Sequence, residues 1–367
     1  MGEHTMTLVG VADCLAPPVR SRRRAARPRA AVGAADPHTG ALLAGRYRLA
    51  EVVGRGATAR VWQARDELLD RDVAVKQVDR AHGRVEARLA ARVRHPHVTV
   101  VHDVVVHDGS DWLVMDYHQG ASLATVLSGG RRRLPPSVVA ALGLQLLAAL
   151  RAVHAAGVVH CDVKPANVML GEDGRPVLVD FGIAETAGGD PAHPARRTGH
   201  VVGSPAFMAP ELVRGEAPQP AADLWSLGAT LYTAVEGRPP FPQAEAVPTL
   251  TAVLQDAPQP ARYADRLQPL LALLLDKDPA RRPSHDAVQA LLTDAYPRSR
   301  PVPARAVCGR TSRRRAARLA TASRPAGGAT STLPSPRIPV DAAADRLVHR
   351  CRCVEVHNPV EQVHRAV

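Results

Sequence analysis

Residues 160–170 read HCDVKPANVML. Four polar side chains, His160, Asp162, Lys164 and Asn167, fall within eight positions and run straight into the apolar Val168, Met169 and Leu170. An acid, a cation and an amide at offsets of zero, two and five are costly to bury unless they pair or serve a reaction. Composition sharpens the point. Only three of the 47 basic residues are lysines (Lys76, Lys164, Lys277), and the only asparagines are Asn167 and Asn358. This is the bias that a GC-rich bacterial genome imposes. Arg does not replace Lys where a compact ammonium must approach a phosphate or carboxylate, so a Lys and an Asn kept in one loop point to chemistry.

Working outward, residues 47–66 alternate apolar and polar on both sides of Gly54-Arg55-Gly56, the pattern of strand, glycine turn and strand. Glycines there let backbone N–H groups approach phosphates, although a glycine hairpin alone is weak evidence. RDVAVKQV (71–78) reads as a further strand carrying Lys76. VEARLAARV (85–93) has helical spacing and offers Glu86 as a countercharge for a buried Lys76. VTVVHDVVV and WLVMD, around Asp108-Gly109, read as two more strands. Beyond about residue 117 helical patterns dominate, at 136–156, 222–236 and around 270–278.

The ordered set of motifs resembles the eukaryotic-like serine/threonine protein kinases over about residues 47–295. GRGATARV looks like the nucleotide-covering loop, with Ala59 where a third glycine is common, and VAVK like the phosphate-positioning strand. HCDVKPAN resembles the catalytic loop, DFG (180–182) the metal-binding motif and APE (209–211) the end of the activation segment. DLWSLG (223–228) resembles the helix that braces the catalytic loop, and DPARRP (278–283) supplies Arg282, the family's partner for Glu211.

The resemblance implies an α+β, bilobal fold with a small antiparallel sheet and one helix (about 47–117) followed by a larger helical lobe (about 118–296), the domain as a whole spanning 41–296. It implies Asp162 as acceptor of the hydroxyl proton, Lys164 against the γ-phosphate, Lys76 paired with Glu86, and Asn167 with Asp180 on Mg²⁺ or Mn²⁺. Val53, Gly54, Gly56, Val61, Ala74, Met115 and Met169 would line the ATP site, with hinge backbone near Asp116 and His118. His160, Phe181, Gly182, Asp223 and Arg282 would be structural. Thr198, Ser204 and Glu211 would belong to the activation segment. Lys164, two positions after Asp162, is the family's mark of Ser/Thr specificity, so protein Ser/Thr hydroxyls are the implied substrates. The alternative is a nucleotide-binding pseudokinase scaffold, whose usual sign is loss of Lys76, Asp162 or Asp180; all three are present.

Two features depart from the family pattern. Cys161 stands where an arginine usually reads activation-loop phosphate, which a thiol cannot do; the expectation is weak dependence on that phosphorylation. The thiol itself is either redox-sensitive or an inert buried residue. The interval from Lys76 to Glu86 is ten residues, shorter than usual in the family.

The tails carry the basic charge. Of the net +12, residues 1–46 hold +4, residues 297–367 hold +10, and 47–296 hold −2. Residues 1–40 read as a flexible basic arm and 297–367 as a basic disordered tail. Their arginine runs lack interleaved aromatics, which argues against a nucleic-acid partner. Five cysteines without a CxxC pair point to a reducing cytosol. No run of 18–20 apolar residues appears; VVAALGLQLLAAL from 138 contains Gln145 and reads as a buried helix, so a cytoplasmic protein is expected.

Overall fold

The computed structural model describes residues 38–55, 59–78, 80–128, 133–181, 184–186 and 204–296. Alternation in the first third builds one six-stranded antiparallel sheet from β1 (Leu42–Leu43), β2 (Tyr47–Arg55), β3 (Arg60–Asp66), β4 (Arg71–Val78), β5 (Val101–His107) and β6 (Ser110–Asp116). The strand order is β1-β2-β3-β4-β6-β5. The expected strand at 71–78 is β4 with those bounds. Asp108 and Gly109 both have positive φ (47° and 77°), the tight turn that matches strand twist between β5 and β6.

Side chains on a strand point alternately to opposite faces. Val73 and Val75 of β4 pack on one face with Tyr47, Trp62, Trp112 and Val114. Ala74 and Val78 face the other way, with Leu113, Met115 and Ala87 of helix α1 (Arg80–Ala90). Lys76 lies in that second row, under the helix. The helix starts five residues before the expected span and ends three before it. The expected strand at 98–100 is diverted: Val98 bridges Leu178, and the Thr99 N–H donates to the Leu178 carbonyl at 3.0 Å.

The remainder is mainly helical: α2 (Leu123–Ser128), α3 (Pro136–Ala155), α4 (Pro210–Val213), α5 (Pro220–Glu236), α6 (Ala246–Gln255), α7 (Gln268–Leu274) and α8 (His285–Ala295). Proline at the first turn of α3, α4 and α5 removes an N–H that would have had no partner. Gly237 ends α5 in the left-handed region at φ 74°. Short strands β7 (Gly120–Ser122), β8 (Val158–Val159), β9 (Val168–Gly171), β10 (Pro176–Leu178) and β11 (Glu185–Thr186) lie between the helices; β9 pairs with β7 and β10, and β8 with β11.

One helix among the described residues, α3, is long and apolar enough to cross a membrane. Eleven of its residues are buried, and it packs against α5 and α8, as a core helix does. In α5, fourteen of seventeen residues are buried. Its Gly228 is a close-approach position, because a Cβ there would stand 2.7 Å from Leu274 Cβ. Gly228→Ala is therefore expected to overpack the core and cost about 1–3 kcal/mol. At roughly 2–4 °C per kcal/mol, Tm falls by about 2–12 °C in a thermal melt; an unchanged Tm contradicts the packing described.

The third lysine has a structural place. Lys277 Nζ lies 4.1 Å from the Phe241 ring centroid and donates to the carbonyls of Ala252 (3.3 Å) and Val253 at the end of α6. A cation there meets the negative end of the helix dipole.

Candidate active site

The 160–167 segment leaves β8 and enters β9 through a short turn, Pro165–Asn167. Its three polar groups form a closed cluster. Lys164 Nζ donates to Asp162 Oδ2 at 2.6 Å. Asn167 Nδ2 donates to the same oxygen and to the Asp162 carbonyl, both at 2.9 Å. Two donors on Oδ2 fix the carboxylate plane and leave Oδ1 as the acceptor that can take a hydroxyl proton.

The Val179 N–H donates to the Asn167 carbonyl at 2.9 Å, which sets Asp180 beside the loop. Asp180 is in the left-handed region, φ 70°, a conformation that costs a non-glycine residue about 1 kcal/mol or more and persists where neighbours hold it. Its holder is Lys76, whose Nζ contacts Asp180 Oδ1 and Glu86 Oε1, each at 2.7 Å. The short interval between Lys76 and Glu86 does not prevent the pair from closing. Burial disfavours the Lys76 cation, but Asp180 and Glu86 outweigh it and raise its pKa. Burial raises the Glu86 pKa; Lys76 counters and the Asp180 charge adds to it.

Beneath the loop, one face of α5 supplies three anchors at offsets of zero, three and seven. Asp223 accepts the backbone N–H groups of His160 (Oδ2) and Cys161 (Oδ1), both at 2.8 Å. Ser226 Oγ donates to the Phe207 carbonyl at 2.8 Å, and Thr230 Oγ1 to the Val163 carbonyl at 3.2 Å. Asp223 is fully buried, which alone would raise its pKa; hydrogen bonds and charges from His154 and His160 hold it below the usual range. Burial pushes the His160 pKa down, and its ring packs on Phe181 with centroids 4.7 Å apart. Cys161 is buried at φ 63°, and its Sγ faces the Val159 carbonyl at 3.6 Å. Arg282 grips Glu211 with two nitrogens, at 2.5 and 2.8 Å, both side chains buried.

Of the apolar residues expected around the nucleotide, Val61, Ala74 and Met115 meet in one cluster. Met169 pairs in register with Val177 and Ser122, and Gly54 pairs with Val61. Val53 is 46% exposed on β2. At the end of β6, Asp116 donates its N–H to the Val100 carbonyl; just past the strand, burial lowers the pKa of His118, whose Nε2 lies 3.2 Å from Thr99 Oγ1. Ser204 precedes the turn Pro205–Phe207. Gly56, Gly182 and Thr198 lie outside the described residues.

Asn167 and Asp180 suit a hard cation. Asn167 commits its Nδ2 to Asp162, so its amide oxygen is the remaining donor atom, and Asp180 adds a carboxylate 39% exposed. Among the described residues no group of three His, Cys, Asp or Glu side chains forms a metal cage. Two oxygen donors fit an ion such as Mg²⁺, which keeps water and substrate phosphate in its shell.

Motif reading missed His154 and Thr230. Thr230 had a usable signal, since positions 223 and 230 share a helix face. His154 had none, as its contacts come from residues 69 and 131 positions away.

Comparison with known proteins agrees with this arrangement. Residues 47–296 match the Protein kinase domain family. A probable serine/threonine-protein kinase of Streptomyces coelicolor is 36% identical over 256 residues, 64% of this chain and 38% of that protein. The serine/threonine-protein kinases PknK and PknA of Mycobacterium tuberculosis are each 34% identical, over 322 residues (81% of this chain, 28% of PknK) and 285 residues (71% of this chain, 65% of PknA). The chain thus spans between 28% and 65% of the length of these relatives. With a match over 250 residues of its 367, the chain belongs to the protein kinase domain family.

Proposed function

We propose that this chain is an ATP-dependent protein kinase that transfers the γ-phosphate to Ser and Thr hydroxyls of proteins. The domain takes residues 41–296, in two lobes that meet near residue 117, with the sheet and α1 as the smaller lobe. The observation that carries the reading is the pair of closed clusters, Lys76 with Glu86 and Asp180, and Asp162 with Lys164 and Asn167. A scaffold that only binds nucleotide has no use for the second.

In the mechanism, Asp162 Oδ1 accepts the hydrogen of the incoming hydroxyl and orients its oxygen toward the γ-phosphorus. That oxygen forms the new P–O bond as the bond to the ADP oxygen breaks, and the proton leaves through the carboxylate. Lys164 sits on the same carboxylate and presents its ammonium to the transferring oxygens, where a fixed positive charge is worth most. Lys76, held by Glu86, positions the phosphates nearer the sugar. Asn167 and Asp180 would hold Mg²⁺ or Mn²⁺, which when bound neutralises charge on the phosphate oxygens. Val61, Ala74 and Met115 would enclose the adenine, with Val53 and Met169 closing it. Phosphoamino-acid analysis of a generic protein substrate labelled by the full chain tests the specificity: label in phosphoserine and phosphothreonine supports it, and label in phosphotyrosine contradicts it.

Cys161 shapes regulation. With a thiol in place of the arginine that reads a phosphate, catalysis does not rest on activation-loop phosphorylation. Thr198→Ala is expected to keep kcat within about threefold of wild type, because no charge-assisted hydrogen bond is lost. Loss of activity in Thr198→Ala with rescue by Thr198→Glu contradicts this.

A further inference from the structure

The braced loop is tied to a part of the molecule with no share in phosphate chemistry. Helix α8 is capped by Ser284, whose side chain accepts the Ala287 N–H, and this places His285 in its first turn. His285 Nε2 lies 2.9 Å from His154 Nδ1 on α3, with ring centroids 5.0 Å apart at 74°. His154 Nε2 lies 2.7 Å from Asp223 Oδ2, and Asp223 holds the His160 and Cys161 N–H groups. Three consecutive hydrogen bonds thus run from the surface of α8 to the loop that carries Asp162. The His154 side chain is 6% exposed and Asp223 is fully buried, so solvent does not substitute for either bond.

We propose that His285 is a positioning residue for this loop, acting through His154 and Asp223, and that the histidine pair makes the order of the loop depend on protonation. The proposal rests on the kinase reading above. Ionised Asp223 only accepts, so His154 Nε2 carries a hydrogen and Nδ1 faces His285. With both rings neutral, His285 Nε2–H donates to His154 Nδ1. With one added proton on the pair, one of the two facing nitrogens still accepts from the other and the chain of bonds survives. With two added protons, two N–H groups and two positive charges face each other and the bond is lost.

The groups around the pair set where that happens. Arg151 of α3 is bound to Asp286 (2.8 Å) and Gln289 (3.3 Å) of α8, Asp223 comes from α5, and His160 from the loop. Burial, then the charges of His154 and Arg151, lower the His285 pKa from its ordinary 6.5, against Asp286 and Asp223. The unfolded chain therefore takes up this proton more readily than the folded one. The stability from this site is present above the ordinary histidine pKa and is lost as pH falls below it.

The test uses the full chain at saturating ATP, with kcat measured from about pH 5 to 8, the range over which histidine changes charge. His285→Ala is expected to lower kcat about fivefold near neutral pH with KM for ATP unchanged, a displacement effect on the loop. His285→Gln, which keeps an N–H donor that does not titrate, restores kcat and moves the acid limb to lower pH. Imidazole ¹H–¹⁵N spectra of Asp162→Asn read the link without turnover: the His154 ring nitrogen shifts are expected to depend on the residue at 285 and to change in His285→Gln. Wild-type kcat and acid limb in both variants, with His154 ring shifts indifferent to position 285, overturn the proposal. An inactive wild type whose His154 ring shifts do respond to position 285 overturns the kinase reading and leaves the linkage standing.

Discussion

Asp162→Asn is expected to lower kcat about 10³-fold while ATP affinity stays within about threefold. The substitution is isosteric: Lys164 and Asn167 still find an oxygen at that position, so the turn at Pro165–Asn167 keeps its shape. What disappears is the anion that takes the hydroxyl proton, a loss of about 4 kcal/mol of transition-state stabilisation. Lys76 is bonded to Glu86 and Asp180 and not to Asp162, which is why nucleotide binding survives. Steady-state kinetics with nucleotide titration reads both quantities. A kcat within tenfold of wild type would remove Asp162 from the reaction.

Lys76→Met is the second large effect and differs in kind. It is expected to reduce kcat/KM by about 10²–10³-fold, in part through weaker ATP binding, because a fixed charge aimed at phosphate oxygens is removed. It also strands two carboxylates that now share one cation. Glu86 is buried, and removing one member of a buried ion pair typically costs about 3–5 kcal/mol. Thermal unfolding should therefore report the substitution as clearly as kinetics does. Glu86→Gln, which leaves an amide oxygen facing the ammonium, should lose about tenfold and less stability. Wild-type kcat/KM in Glu86→Gln would show that Lys76 acts without its partner.

The strands were legible where alternation met rare residues. β4 was readable end to end because Val73, Val75 and Lys76 sit between Arg71 and the polar residues after Val78. The start of α1 was not, since Arg80, His82 and Gly83 carry no apolar periodicity; tertiary packing of Ala87 and Leu89 decides it. The run at 98–100 looked like strand because Val is a strand former, but Val98 bridges Leu178 instead of extending β5. Around the site, Lys76, Lys164 and Asn167 stood out against a chain that avoids those residue types. His154 and His285 did not, for the chain has sixteen histidines and these two meet across 131 positions. A hydrogen bond of that span leaves no trace in local pattern.

Phosphoryl transfer is measured most directly by following the γ-phosphate of labelled ATP, with Mg²⁺ or Mn²⁺, in the 367-residue chain and in Asp162→Asn side by side. Equal nucleotide binding is expected in both, with label on protein Ser or Thr and matching ADP from the wild type alone. Wild-type chain that binds ATP and transfers no label to itself or to any protein substrate would contradict it, and would leave the Asp162, Lys164 and Asn167 cluster without a reaction.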